Sequence, residues 1–220
     1  GYNVVGVLEG SLYPEEFIVV GAHYDSLPNP PASSPGAEDN ASGTAATIEV
    51  ARVLSQTQPQ RTIVFICFSG EEQGLDGSAA YVASLSAAER SNLVAAITMD
   101  MVSYTADDQY DVLIETRTFA QPLLDDLADA AADFTDLAVF TSFNPFGSDH
   151  MPFLNNNLPA VLLIQNDWDV YSPYHTSADT VANLDFGQGL RITRMALATT
   201  ARLANPDPLG PGSNWMFLAD

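Results

Sequence analysis

Short apolar runs alternate along this chain with segments whose apolar residues recur at helical spacing. Residues 2–8 and 16–22 read as strands, the second carrying the unbroken run Phe17-Ile18-Val19-Val20. Residues 26–38 are rich in proline, serine and glycine and read as a loop. From residue 40 to about 55 the period turns helical, with Ala45, Ile48, Ala51 and Leu54 expected on the buried face. Residues 61–68 are apolar almost throughout, as expected of a strand covered by helices on both sides. Gly70 ends that run, residues 75–84 are expected to be helical, and Ser86-Ala87-Ala88-Glu89 has the capping-box spacing that opens a short helix.

The second half repeats the alternation. Residues 93–101 read as a strand, 110–115 as a strand at or near a sheet edge, and 119–134 as a helix with Pro122 in its first turn. Residues 138–141 and 159–164 are further strands, and 184–203 the last long helix. From Asn205 onward, three prolines and two glycines leave no periodicity. Strands alternating with helices predict an α/β fold with a largely parallel sheet. Ligands gather beyond the carboxyl ends of the strands in such sheets. No internal repeat or linker divides residues 1–220, so one domain is expected.

Charge narrows the functions open to this fold. There are 28 acidic residues against 7 basic ones, all seven of them arginine, for a formal net charge of -21. Nucleic acid and anionic membranes need basic patches, so neither is an expected partner. Cationic ligands, free amino termini among them, are favoured. The acidic excess reads first as a solvated surface that keeps the protein soluble; the alternative is a lysine-free surface suited to high salt, where self-repulsion is screened and stability would rise with NaCl. No apolar run approaches the roughly 18 residues of a membrane span. The chain opens on Gly1-Tyr2-Asn3 without a signal-peptide pattern, from which a mature or trimmed chain is expected. The single cysteine, Cys67, lies in an apolar run and is expected to be a small core residue.

Against this background a scattered set of residues spells metal chemistry: His23, Asp25, Asp39, Glu71, Glu72, Asp100 and His175, most of them at or just past a strand end. In extended chain His23 and Asp25 point the same way, so Asp25 can hold one ring nitrogen while the other binds metal. Asp39 stands just before a helix, where it could be an N-terminal acid or a carboxylate bridging two cations. The Glu71-Glu72 pair could be a solvated turn, or could divide labour between metal ligand and base. Asp100, flanked by Met99 and Met101 in an apolar run, is costly unless paired or ligated. His175 follows a loop with two further aromatics, Trp168 and Tyr171, and His150 in Gly147-Ser148-Asp149-His150 is its competitor for the ligand role.

Together these segments resemble the M28 family of zinc aminopeptidases. The resemblance is carried by Gly21-Ala22-His23-Tyr24-Asp25-Ser26, by Pro35 through Gly43 around Asp39, and by Phe65 through Ser78 around Glu71-Glu72. Met99-Asp100-Met101-Val102 and Tyr174-His175-Thr176 complete it in order. It implies a three-layer α/β fold whose mixed, mostly parallel twisted sheet is flanked by helices, with a cis bond at Asp39-Asn40. It also implies two Zn²⁺ ions, other divalent ions being compatible. His23 and Asp100 would hold one ion, Glu72 and His175 the other, and Asp39 both, with Glu71 as general base and Asp25 orienting His23. The implied substrates are peptides with a free N-terminus, and the implied location is extracellular.

Three departures stand out. Against the family the additional helices that usually precede the first strand are missing here, from which an N-terminally short domain is expected. Residues 141–147 hold no tyrosine, which leaves the oxyanion partner unassigned, and one cysteine cannot brace that loop with a disulfide. The substrate pocket is expected to be apolar, drawing on Phe143, Phe146 or Trp168, and to favour apolar N-terminal residues. A single-zinc glutaminyl-peptide cyclotransferase stays open as an alternative, because residues 149–154 are similar to a segment of that group. A carboxypeptidase, a deacylase and a non-catalytic scaffold are further alternatives. The sequence does not give the oligomeric state.

Overall fold

The central apolar runs become strands because each can bury both of its faces at once. A computed structural model describes residues 1–27, 34–107 and 109–206. Seven strands form one sheet: β1 (Val4–Leu8), β2 (Tyr13–His23), β3 (Arg61–Phe68), β4 (Leu93–Met99), β5 (Asp111–Glu115), β6 (Ala138–Ser142) and β7 (Ala160–Ile164). Their spatial order is β1-β3-β2-β4-β7-β5-β6. The central strands β3, β2, β4 and β7 are parallel. β1 runs antiparallel on β3, and β5 antiparallel on β7 with β6 parallel beside it.

Strand alternation sorts the core into two halves. Ile18, Val20, Ile63, Phe65 and Ile97 face one way, packing under α1 (Gly43–Leu54), α4 (Gln121–Phe134) and α6 (Phe186–Ala204). Phe17, Val19, Ile66 and Phe68 face the other, under α2 (Asp76–Ser84) and α5 (His150–Asn155), with Phe153 and Leu154. The short α3 (Ala87–Asn92) leads into β4. Each fully buried aliphatic such as Ile18 or Ile97 contributes about 1.5–3 kcal/mol. The expected three-layer α/β arrangement is therefore the observed one.

Most expected elements stand within two or three residues of their bounds, and the Ser86–Glu89 capping box is formed by both of its reciprocal bonds. The buried face of α1 needs correction. It is Gly43, Ala46, Thr47, Val50 and Leu54, while Ala45 is exposed and Ile48 is 58% exposed. Apolar residues occupy most of this helix, so two overlapping stripes fit the period, and the kinked turn that starts the helix selects the other one. α5 was not expected: it is six residues long and, unlike the equally short α3, opens without a side-chain cap. Cys67 is partly buried, and burial pushes its thiol up. Residues 28–33 of the expected loop and the tail from residue 207 lie outside the described residues.

Candidate metal centre

Three parallel strands deliver the site from their carboxyl ends. β2 ends on His23, β4 stops one residue before Asp100, and β3 runs into a turn at Gly70 (φ 74°) that presents Glu71 and Glu72. That turn is braced by Asp25. Its carboxylate accepts the backbone N–H of Gly70 at 2.9 Å and those of Glu71 and Glu72 at 3.2 Å. His23 Nδ1 lies 3.1 Å from the Asp25 backbone oxygen and 3.8 Å from its carboxylate, so Asp25 faces both the imidazole and the glutamate turn.

Asp39 sits in a kinked turn, Ala37–Ser42, with a cis peptide bond to Asn40. Asn40 ties this turn to the end of β4: its amide donates to the Met99 carbonyl, and its oxygen accepts the N–H of Gly43 and Met101. A Cβ on Gly43 would come within 2.3 Å of the Met99 carbonyl, so only glycine lets α1 begin this close to the strand. Glu38, fully buried, accepts the Ser103 N–H with both oxygens, at 2.9 and 3.0 Å, and burial pushes its carboxyl up to about 8.

The side chains converge in two groups, His23 with Glu71 and Asp100, and Asp39 with Glu72 and His175. Asp39 joins them. Its Oδ1 lies 3.3 Å from His23 Nε2, and its Oδ2 lies 3.0 Å from His175 Nε2. His23 Nε2 is also 3.3 Å from Asp100 Oδ1, and His175 Nε2 is 3.1 Å from Glu72 Oε2. The outer oxygens are tethered: Ser148 donates to Asp100 Oδ2 at 2.7 Å, and the Leu27 N–H to Glu72 Oε1 at 2.9 Å. His175 itself has a left-handed backbone (φ 56°) and stacks on the Tyr174 ring at 3.7 Å.

These donors fit divalent metal. Four carboxylates crowd two imidazoles, a set that suits zinc. The buried His175 Nε2 makes no properly directed hydrogen bond although two carboxylate oxygens lie within 3.1 Å, as expected of ligands aimed at a common point rather than at each other. Without a cation the charges are uncomfortable. Burial, with the Asp100 charge behind it, pushes Glu71 up to about 9, and burial with the Asp39 charge pushes Glu72 up to about 7. Burial pulls His23 down, but the Asp100 and Asp39 carboxylates outweigh it and raise the imidazole to about 12. Bound divalent cations reverse that balance by favouring ionised carboxylates and neutral imidazoles.

All the residues put forward for ligand, base and orienting roles meet here except His150. That imidazole is fully buried at the start of α5, belongs to neither group, and is held down to about 3 by burial. The centre opens into a cleft walled by Met101, Leu162, Ile164, Phe146 and Trp168, with Tyr174 at its side. Phe146 and Trp168 pack at 5.2 Å, while Phe143 is 45% exposed and does not line the cleft. Sequence reasoning missed Asp179, whose carboxylate accepts the N–H of Glu38 and Asp39 and the hydroxyl of Tyr171. Its position four residues beyond His175 was the available signal.

Over most of its length the chain is similar to known proteins. The model for Peptidase family M28 matches residues 3–200. Aminopeptidase YwaD of Bacillus subtilis (strain 168) is 30% identical over 186 residues, which cover 83% of this chain and 40% of that protein. A solved zinc aminopeptidase from Bacillus subtilis is similar with a TM-score of 0.81 at 28% identity, covering 92% of this chain and 50% of that one. A glutaminyl cyclase from Macrostomum lignano shares the fold with a TM-score of 0.76 at 18% identity, covering 91% and 71%. The chain spans about half the length of the curated relatives that it matches over most of its own sequence.

Proposed function

This chain belongs to peptidase family M28, and on that premise we propose that it is a di-zinc aminopeptidase releasing single residues from the N-terminus of peptides. The observation that carries the proposal is Asp39, whose two oxygens each face a different histidine, at 3.3 and 3.0 Å. His23 and Asp100 would hold one ion, Glu72 and His175 the other, and Asp39 both. Zinc bound there supplies Lewis acidity and makes water acidic enough to attack near neutral pH.

The remaining chemistry falls to the chain. Glu71 takes a proton from the attacking water and later gives it to the leaving amine nitrogen, so that it ends the cycle as it began. Its carboxylate stands beside His23 and Asp100. Asp25 holds the Glu71 backbone, and so the base, in place. Tyr174 lines the cleft beside the carboxylates, and its phenol would donate to the carbonyl oxygen as negative charge develops there. The surrounding carboxylates favour the substrate's free α-ammonium, and the apolar wall takes the stem of the first side chain.

Metal content per chain, measured with hydrolysis of leucine p-nitroanilide before and after chelation, tests this reading. Two zinc ions and chelator-sensitive release are expected. One ion with no release, but with cyclisation of an N-terminal glutamine peptide, would instead make it a cyclotransferase. The shared fold with a glutaminyl cyclase keeps that second reading in view, although 18% identity speaks to the fold alone. Two complete donor groups favour the peptidase.

A further inference from the structure

The cleft wall contains one residue that an apolar pocket does not need. Glu115 is the last residue of β5 and is 2% exposed, yet it lines the same cleft as Glu71 and Asp100. The strand register explains its placement. Glu115 pairs with Leu162 and Leu113 with Ile164 across β5 and β7, so Glu115 lies on the sheet face that carries Leu162 and Ile164. Its Oε2 accepts the Phe146 N–H at 3.3 Å. Among the described residues no arginine or histidine pairs with it, and burial pushes its carboxyl up, relieved only by that one backbone bond. A carboxyl group so placed in apolar surroundings is costly unless something in the cleft completes it.

The shape of the wall says what that is. Beyond the acids of the metal centre, Asp39, Glu71 and Asp100, the cleft is lined by apolar Met101, Leu162 and Ile164 and by the aromatic faces of Phe146 and Trp168, and Glu115 supplies the one further acid. A side chain with an aliphatic stem and a cationic head matches that order: the stem lies on the apolar lining and the head meets the carboxylate and the aromatic rings.

We propose that Glu115 sets the specificity of the cleft for peptides whose first residue is lysine or arginine. This rests on the aminopeptidase reading, and it replaces the apolar preference expected from the sequence. Glu115 would neither bind metal nor touch the reacting atoms. Its effect falls on which substrate is held, and therefore on the ratio of rates for two substrates.

The test uses the zinc-loaded chain with the p-nitroanilides of arginine, lysine and leucine. The wild type is expected to favour the two cationic substrates over leucine by about tenfold or more in kcat/KM. Glu115→Gln keeps an acceptor for the Phe146 N–H and removes the charge, and is expected to lower the arginine-to-leucine ratio by about tenfold or more. A wild type that prefers leucine overturns the proposal without any variant. A ratio within about threefold of wild type in Glu115→Gln, including equal loss on both substrates, would overturn it in favour of a brace for the Phe146 loop. If leucine is cleaved and arginine is not, only the specificity falls. If no amide is cleaved with both metals bound, the aminopeptidase reading falls and takes the specificity with it.

Discussion

The buried carboxylate of Asp179 accepts the backbone N–H of Asp39 at 3.1 Å, although 140 residues separate them in sequence. The same carboxylate takes the Glu38 N–H at 2.8 Å and the Tyr171 hydroxyl at 2.7 Å. Asp179 therefore holds the turn on which the shared ligand sits without reaching the metal positions itself. Asp179→Ala would strand two buried amides and a phenol. The expected cost is about 3 kcal/mol or more in stability, with metal affinity about 10–100-fold weaker. Urea unfolding and a zinc titration check both. Unchanged zinc affinity would make Asp179 a structural anchor only.

Glu71→Gln preserves the size of the side chain and the Asp25 bond to its backbone but removes the proton acceptor. Metal content should stay at the wild-type level while turnover falls by about 10²–10⁴-fold. Steady-state kinetics paired with metal analysis of the same sample decides the point, and a near-normal rate would move the base elsewhere.

Tyr174→Phe leaves the ring stacked on His175 and deletes only the hydroxyl. A donor that acts on charge developing in the transition state affects kcat more than KM. A fall of about 10²-fold in kcat is expected, with KM little changed. Equal kcat values would remove Tyr174 from the chemistry.

Metal should invert the pH dependence of stability. In the metal-free protein burial raises Glu38 to about 8, Glu71 to about 9 and Glu72 to about 7, all from 4.5. A group whose pKa rises on folding binds more protons folded than unfolded, so its support is complete below 4.5 and drains away as pH climbs to the folded value. His23, raised from 6.5 to about 12 by the carboxylates that outweigh its burial, acts in the same sense at higher pH. Asp100 is lowered and opposes them, but only in acid below 3.8. Zinc needs these carboxylates ionised. The gap in Tm between loaded and chelated protein should therefore widen by more than about 4 °C from pH 5 to pH 9. Calorimetry with and without EDTA measures it, and a constant gap would contradict it.

The sheet was legible because its strands are unbroken apolar runs, and the metal ligands because they sit where such strands end. His23, Asp100 and the Glu71-Glu72 pair announce themselves as charged residues interrupting buried segments. The α1 face was harder to read because Ala45 and Ile48 fit the helical period as well as Ala46 and Val50 do. Only the attachment of the preceding turn, through Asn40 and Gly43, decides between the two stripes. Asp179, marked only by its place four residues beyond His175, and Glu115 were harder to read for another reason. Each is an ordinary acid in its own stretch of sequence, and its role appears only when a distant backbone, Asp39 or Phe146, folds against it.

The outermost strand, β1, shows solvent an edge that pairs with no strand among the described residues, and exposes Val4, Val5 and Val7 at 62%, 49% and 64%. Such an edge is a template on which another copy can add a strand. What stands between copies is the acidic surface, whose mutual repulsion reaches about 10 Å at 0.1 M salt and about 3 Å at 1 M. Screening would therefore act twice in opposite directions. It would relax the repulsion of crowded like charges within one molecule, and it would lower the barrier that keeps neighbouring valine edges apart. Thermal resistance and colloidal solubility would then part company as salt rises, the first improving while the second fails.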